Sequence, residues 1–222
     1  PQENHKLNEI DINKEIEIFN KVKKENYIPW TAQDNLYEII KDQNLIEHKI
    51  LDIGAGSLSL FAFLDKKIRN LQYLYFDQPL FNSLNKEIKI RLSLSNLKII
   101  EDLNNLDNNI DLVYFGSALQ YFDDYRSILF KVFNKSKFIL ISLTPFFENL
   151  DKNNIVVKQI NMHPTIYYHY IFNIEKFVNF MKENNYILIK KNKNSKIKFI
   201  NFKNFKNEYK HLFMYDLMFK KQ

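Results

Sequence analysis

The sequence predicts an α/β fold in which a mainly parallel sheet carries helices on both faces. Short apolar runs typical of buried strands alternate with longer amphipathic runs along most of the chain. The chain has only three glycines, Gly54, Gly56 and Gly116, and all three lie at or just beyond the end of a predicted strand. Because ligands of such sheets bind at the carboxyl ends of the strands, these positions predict a binding site there.

Length and composition set the class of protein. At 222 residues and 45% hydrophobic content the chain can bury one core, and we expect a helical cap over residues 1–45 followed by one main domain over residues 46–222. The chain has no cysteine, which excludes a disulfide framework, a thiolate nucleophile and a cysteine-ligated zinc site. No apolar run is long enough to span a bilayer and no secretory signal pattern is visible, so we expect a cytoplasmic protein.

The net charge of +6 suits an anionic small substrate, a membrane-facing surface or nucleic acid. The basic residues form no dense arm, and the richness in Asn, Lys, Ile and Phe is also what an AT-rich genome produces. The charge by itself therefore selects no partner.

Two helices are predicted first. Apolar residues at spacings of three and four predict an amphipathic helix from Leu7 to Glu25, and Pro29 ends this pattern. Thr31 is the predicted N-cap of a second helix that runs to about Lys41. Two aromatic residues, Tyr27 and Trp30, lie between the helices and could close over a substrate and bind it. A tryptophan beside a proline, as Trp30 is, could instead anchor the packing.

The segment that follows predicts a cofactor loop. The run HKILDI, residues 48–53, predicts the first buried strand, and residues 58–67 predict the next helix. Between them, Gly54, Ala55 and Gly56 place two glycines one residue apart, which lets the backbone turn sharply and lets a ligand approach the N–H groups at the helix start. The same pattern also occurs in ordinary strand-to-helix turns.

The second predicted strand, LQYLYFD, ends at Asp77, 23 residues after Gly54. At this spacing an acid at the strand tip is placed to accept both ribose hydroxyls of an adenosine, with Gln78 beside it. Asp77 could instead cap the helix that begins near Pro79.

The third predicted strand, LKIIEDL, ends in two acids and a leucine. Either Glu101 or Asp102 could accept a hydrogen bond from the amino group of an adenine, with Leu103 packed against the adenine ring. The fourth strand, NNIDLVYFGS, ends at Gly116 and Ser117, which are placed to contact the same cofactor.

The last third of the chain departs from this alternation. The fifth strand, KFILISLTPFF, is predicted to stop at Pro145. Residues of about 148–172 then alternate as strands do and predict an inserted hairpin or lid. A helix from residue 174, a strand over 186–191 and a final strand over 214–221 follow, with an irregular excursion from Asn192 to Glu208.

Two nucleotide cofactors fit an acid-ended second strand beside a glycine turn: a nicotinamide dinucleotide and S-adenosylmethionine (SAM). Asp52, just before the first glycine, would repel a pyrophosphate but suits a cofactor that carries an ammonium and a sulfonium. The third glycine that dinucleotide sites carry is absent, since Ser59 stands there. These two observations favour SAM.

The segment Asp52-Ile53-Gly54-Ala55-Gly56 resembles motif I of the class I SAM-dependent methyltransferases, and Asp77 and the strand from Asp111 to Ser117 match later motifs in order. The resemblance implies a Rossmann-like methyltransferase sheet. Five further segments resemble a family of methyltransferases encoded among capsule and O-antigen polysaccharide genes: NYIPW, LVYFGSALQYFDD, ISLTPFF, VVKQI and YYHYIFN. This second resemblance implies O-methylation of a small anionic precursor of capsule or lipopolysaccharide, at a sugar hydroxyl or at a phosphate- or phosphoramidate-type oxygen.

The acceptor site is expected over the ends of the fourth and fifth strands, covered by the lid. Histidine is the natural base near neutral pH, so His169 is the first candidate and His163 the second, although each could also be a hydrogen-bonded structural residue. The other candidates are polar or aromatic: Tyr121 and Asp123 after the fourth strand, Thr144 after the fifth, and Gln159 and Tyr168 in the insertion. The scattered histidines predict no metal site, and Asp123-Asp124 could bind a hard cation or cap a helix.

Other functions remain open at this stage. Methylation of nucleic-acid bases is disfavoured. Enzymes that methylate base amino groups typically carry a Pro-Pro-aromatic motif after the fourth strand, where this chain has Phe115-Gly116-Ser117. Methylation of cytosine at C5 needs a cysteine, which the chain lacks. An NAD-dependent sugar-modifying oxidoreductase and a non-catalytic methyltransferase-like partner subunit are the two alternatives. The resemblance to the polysaccharide-associated family implies a small, anionic sugar- or nucleotide-linked substrate.

Overall fold

The computed structural model describes residues 9–43, 48–148, 153–160, 166–194 and 213–222. By their internal contacts the residues form two compact units, Pro1–Leu112 and Val113–Gln222. Strand β4, Ile110–Gly116, runs from the first unit into the second. The expected boundary between a cap and a main domain after residue 45 stays a prediction. Within the described residues, no helix combines the length and the apolar character needed to cross a membrane.

The first unit alternates helices and strands, as the sequence predicts. Its elements are α1 Glu9–Lys23, α2 Thr31–Asp42, β1 Lys49–Ile53, α3 Ser59–Lys67, β2 Gln72–Phe76, α4 Pro79–Arg91 and β3 Leu97–Ile99. Strand β2 lies between β1 and β3 and is parallel to both, with Tyr73 opposite Ile50 on one side and Leu97 on the other. Buried apolar side chains on every strand make this part of the sheet the core of the unit.

The N-terminal helices pack on α3 through aromatic contacts. The rings of Phe19 in α1 and Phe61 in α3 lie 6.1 Å apart, and Tyr37 in α2 meets Phe63 edge to face at 6.3 Å. The N-cap prediction was wrong by one residue: Trp30 is the N-cap of α2, because the side-chain oxygen of Gln33 accepts its N–H at 3.0 Å. Trp30 is 75% exposed and therefore does not anchor the packing.

The second unit is a mixed sheet with two helices. Its elements after β4 are α5 Tyr125–Val132, β5 Ser136–Phe147, β6 Ile155–Ile160, β7 Ile166–Asn173, α6 Ile174–Glu183, β8 Tyr186–Asn194 and β9 Phe213–Lys221. Strand β9 pairs antiparallel with both β5 and β8, and β7 pairs parallel with the end of β5. Strands β6 and β7 form the antiparallel hairpin that the alternating pattern predicts, with Val157 opposite His169.

Two predictions about strand ends were wrong. Strand β5 continues through Pro145 to Phe147 instead of stopping there. A bulge immediately before the proline, where Leu143 adopts a φ of 49°, shifts the register against β9, and proline is tolerated at such irregularities. Strand β8 continues to Asn194, into the predicted irregular excursion, because its residues find partners along β9. The remainder of that excursion lies outside the described residues.

Candidate active site

The glycine loop of the first unit has the backbone that its sequence requires. Gly54 has a φ of 74° and Gly56 a φ of 65°, both in the left-handed region that side chains disfavour. The N–H of Gly54 donates to the carbonyl of Phe76 at 2.9 Å, which extends the pairing of β1 with β2 by one residue. The loop therefore turns away from the sheet directly at the end of β1.

Asp77 comes directly after β2 and contacts this loop. Its Oδ2 accepts the N–H of Gly56 at 2.7 Å, and its Oδ1 accepts the N–H of Gln78 at 2.6 Å. A carboxylate oxygen has two lone pairs, so each oxygen retains one for a ligand. The structure thus brings together the glycine loop and the acid that the sequence spacing singled out.

Asp52 lies within the core of the first unit and is 2% exposed. Tyr73 on the neighbouring strand donates to its Oδ2, while its Oδ1 has no partner in the part of the chain that the structure describes. Burial raises the pKa of the Asp52 carboxyl to about 7; the hydrogen bond from Tyr73 opposes this rise, and the charge of Asp77 adds to it. Near neutral pH this acid is therefore poised between its two protonation states, and a nearby positive charge would favour the ionised one.

The acids after β3 have local partners. Glu101 is exposed and forms an ion pair with Lys86 of α4, and Asp102 accepts the N–H of Asn104 at 2.9 Å at the start of a 3-10 turn. Leu103 is buried. Contacts of these residues with an adenine, like contacts of Ala55 and Gln78 with the cofactor, stay predictions.

Sequence reasoning missed three residues that hold the loop and the strand ends. Tyr75 and Asn85 both donate to the carbonyl of Gly56, at 2.5 Å and 3.0 Å. Asn82 accepts the N–H of Asp77 at 3.0 Å and donates to the carbonyl of Ile100 at 3.2 Å. The only signal in the sequence was the spacing of three between the two asparagines, which places both on one face of α4.

In the second unit, the end of β4 is tightly packed. A Cβ at Gly116 would come within 2.6 Å of the ring of Tyr114, so a larger residue does not fit this conformation. Ser117 has a φ of 58°, and its N–H donates to the carbonyl of Ser142 at 2.9 Å. The side-chain amide of the buried Gln120 donates to the carbonyl of Ser117 at 3.0 Å. Contacts of Gly116 and Ser117 with a cofactor stay predictions.

His169 is the most unusual polar side chain of the second unit. It is 4% exposed, and neither ring nitrogen has a hydrogen-bond partner among the described residues. Its ring stacks on that of Tyr121 at 5.7 Å between centroids and 20° between planes. Burial lowers the pKa of the His169 imidazole from its usual value, which keeps the ring neutral at physiological pH. A cavity of about 100 Å³ is lined by His169 together with Tyr121 and the exposed Tyr168.

The remaining candidates differ in exposure. Thr144 is fully buried, with its hydroxyl 3.1 Å from the carbonyl of Ser142. Gln159 is half-buried on β6, opposite Tyr167. Tyr27 is half-buried and donates to the side chain of Gln33 at 2.9 Å. His163 lies outside the described residues, and substrate contacts of the others stay predictions.

Asp124 accepts the N–H of Ser127 at 3.0 Å and caps α5, as the simpler interpretation of the Asp123-Asp124 pair expects. Asp123 is exposed, and its backbone carbonyl accepts the hydroxyl of Tyr170 at 3.0 Å. This contact ties the hairpin to the segment that carries Tyr121.

No protein-family model matches the sequence, and no characterised protein matches it. Solved structures match the fold. The N-terminal domain of EvdMO1 with S-adenosylhomocysteine (SAH) bound is 10% identical, with a TM-score of 0.61 over 100% of both chains. A SAM-dependent methyltransferase from Clostridium acetobutylicum ATCC 824 is 14% identical, with a TM-score of 0.58 over 94% of this chain and 98% of that one. The glycopeptide N-methyltransferase MtfA complexed with SAH is 14% identical, with a TM-score of 0.57 over 88% of this chain and 91% of that one.

These similarities show the fold. The chain has the Rossmann-like α/β architecture, with a central sheet and helices, that these structures share.

Proposed function

We propose that the protein is a SAM-dependent methyltransferase. The observation that carries this proposal is the hydrogen bond from the N–H of Gly56 to the carboxylate of Asp77, at 2.7 Å. It joins a positive-φ glycine loop to an acid at the tip of the next parallel strand, which is the arrangement that an adenosine site needs. The SAH-bound structures of the same fold support the choice of cofactor.

The residues present fit this cofactor. Asp77 has lone pairs available for ribose hydroxyls, and no atom lies within 4 Å of the position of a Cβ on Gly56, so the loop is open on that side. Asp52 Oδ1 is a buried acceptor without a partner, and its carboxylate suits the neighbourhood of a positively charged ligand. When bound, SAM would supply an electrophilic methyl group on its sulfonium.

On the acceptor side, we assign the role of base to His169. A neutral imidazole with both nitrogens unpartnered can accept a hydroxyl proton, and Tyr121 stacks on the ring and restricts its orientation. Because a stacked aromatic face also stabilises an imidazolium, Tyr121 supports the protonated state that follows.

For the acceptor, we propose a small anionic precursor of capsule or lipopolysaccharide, such as a nucleotide-linked sugar, that is methylated on oxygen. The resemblance of five segments to polysaccharide-associated methyltransferases supports this choice. The net charge of +6 agrees with an anionic substrate. We place the reaction in the cytoplasm, where activated sugars are made.

The test has two stages. Calorimetric titration with SAH and, separately, with NADH identifies the cofactor: we expect SAH to bind, whereas binding of NADH alone would make the protein an oxidoreductase. Transfer of a labelled methyl group from SAM to a panel of nucleotide-linked and phosphorylated sugars then identifies the acceptor. Binding of SAH without a methylated product from any pathway intermediate would indicate a non-catalytic partner subunit.

The role of His169 is tested with the same assay. Loss of a general base lowers turnover by about 10²–10⁴-fold, so we expect His169→Ala to lose turnover to that extent and to keep its affinity for SAH. Unchanged turnover in this variant would exclude His169 as the base.

A further inference from the structure

We propose that Asn85 is a positioning residue for the cofactor loop, and that it serves SAM binding and not the stability of the fold. The proposal rests on the proposed function, since it concerns the same site. Asn85 lies on α4, 29 residues along the chain from Gly56, and donates from its Nδ2 to the carbonyl of Gly56 at 3.0 Å.

Gly56 is held by three hydrogen bonds. Its N–H donates to Asp77, and its carbonyl accepts from both Asn85 and the hydroxyl of Tyr75. A glycine at a φ of 65° has no side chain that could hold it, so these three bonds set the direction of its peptide groups. The orientation of the Gly56 N–H in turn helps to orient the carboxylate that we assign to the ribose.

Asn85 makes this contact at a cost to folding. The residue is 0% exposed, and its Oδ1 has no hydrogen-bond partner within the described ranges. A buried acceptor that loses its water without gaining a partner destabilises the folded state. An apolar side chain of the same size would avoid this loss, so stability alone does not account for an asparagine here.

Asn82, one helical turn earlier, shows the contrast. It is also buried, but its Oδ1 accepts the N–H of Asp77 and its Nδ2 donates to the carbonyl of Ile100. The amide of Asn82 thus has a partner at each end and links two strand ends. Its contribution to the fold is sufficient to explain it, whereas that of Asn85 is not.

The test compares Asn85→Leu with Asn96→Leu. Leucine has the branched shape of asparagine, with two bulkier methyl groups in place of the amide oxygen and nitrogen, and removes both the donor and the unpaired acceptor. We expect Asn85→Leu to bind SAH about 2–13-fold more weakly, the factor that corresponds to one lost hydrogen bond, while its melting temperature without ligand stays equal to or above that of the wild type. Asn96 donates to Asp65 at 2.5 Å, away from the loop, so Asn96→Leu should lower the melting temperature and leave SAH affinity unchanged.

A second variant checks the shared carbonyl. Tyr75→Phe removes the other donor to the carbonyl of Gly56. Because both donors contact the same oxygen, either one can still hold it when the other is removed. The double variant Tyr75→Phe, Asn85→Leu should therefore weaken SAH binding by more than the product of the two single factors.

Three outcomes overturn the proposal. Equal SAH affinity in Asn85→Leu and the wild type would exclude the positioning role while leaving the proposed function intact. A fall in melting temperature that accompanies the loss of affinity would make Asn85 a residue of the fold. A wild-type protein that does not bind SAH would overturn the proposed function, and this proposal with it.

Discussion

The hydroxyl of Tyr73 donates a hydrogen bond to the buried carboxylate of Asp52, whose second oxygen has no partner. The two residues lie on the neighbouring strands β1 and β2, where Tyr73 is two positions away from Tyr75, the residue opposite Asp52. Burial raises the pKa of Asp52 to about 7 from its ordinary value of 3.8. Tyr73 limits this rise, because its hydrogen bond favours the ionised form. The proton on Asp52 therefore links folding to pH.

Asp52 should make the fold less stable as pH rises. Because its pKa is higher in the folded state, the folded protein binds more protons than the unfolded chain between about pH 4 and pH 7. Relative to Asp52→Asn, the wild type should lose up to about 1.4 kcal/mol of its free energy of unfolding per pH unit in this window. Urea denaturation of both proteins at pH 4, 5, 6, 7 and 8 measures the difference, and parallel curves would contradict the prediction.

Tyr73→Phe should change this linkage in a defined direction. Removing the hydrogen bond to the carboxylate raises the pKa of Asp52 further, so the pH window in which stability falls extends upward. The same denaturation series, run to pH 9, checks it. Tyr37→Phe is a suitable control, since Tyr37 contacts Phe63 through its ring.

Binding of SAM should release protons, and binding of SAH should release fewer. The sulfonium of SAM favours the ionised Asp52, whereas SAH has lost that charge. Calorimetry at pH 6.5 in buffers of different ionisation enthalpy counts the protons released. Equal numbers for the two ligands, or the same release in Asp52→Asn, would show that Asp52 does not sense the methyl donor.

Asp77→Ala should weaken SAH binding without abolishing folding. The change removes the acceptor for the Gly56 N–H and the proposed acceptor for the ribose, for which we expect a loss of about 1–3 kcal/mol of binding free energy. Calorimetric titration with SAH measures it. Asp107→Ala is the control, because Asp107 is exposed and pairs with Lys49 and Lys98, so its affinity for SAH should equal that of the wild type. Wild-type affinity in Asp77→Ala would refute our placement of the site.

Alanine at Gly116 and at Gly56 should destabilise the protein for different reasons. A Cβ at Gly116 would overlap the ring of the buried Tyr114, and such overpacking costs about 1–3 kcal/mol. A Cβ at Gly56 meets no atom within 4 Å, so only the left-handed backbone opposes it, at about 1–2 kcal/mol. Asparagine, which tolerates a positive φ, should therefore restore stability at Gly56 and not at Gly116. Urea denaturation of the four variants tests this, and equal recovery at both positions would contradict it.

His169 should titrate below its ordinary pKa of 6.5, because burial disfavours the imidazolium. The unfolded chain then binds more protons than the folded protein as pH falls through this range, so His169 contributes stability that is lost toward low pH. Histidine-labelled NMR, assigned with His169→Gln, measures the titration. His48, whose pKa burial also lowers, provides a second resonance. A pKa for His169 at or above 6.5 would contradict the buried, unpartnered position.

Much of the fold could be read along the chain because its signals are local. The apolar run before Gly54 and the amphipathic run after it fall where β1 and α3 form. The two glycines one residue apart indicated a turn whose backbone does adopt positive φ at both. The strand tip at Asp77 followed from the usual length of one helix between two parallel strands. By contrast, Pro145 was expected to end β5, and only the bulge beside it shows how the strand continues.

The sequence by itself determined the order of the elements and the glycine loop, since these depend on residues close together in the chain. It also placed Asp77 beside that loop, because a strand, a helix and a parallel strand have a regular combined length. Only the tertiary structure decided that Tyr73 donates a hydrogen bond to the buried carboxylate of Asp52 and that Asn85 donates one to the carbonyl of Gly56. It also decided that the ring nitrogens of His169 have no hydrogen-bond partner among the described residues. These features depend on how side chains of different helices and strands pack together. Their energies depend on the exclusion of water, which no pattern of neighbouring residues reports.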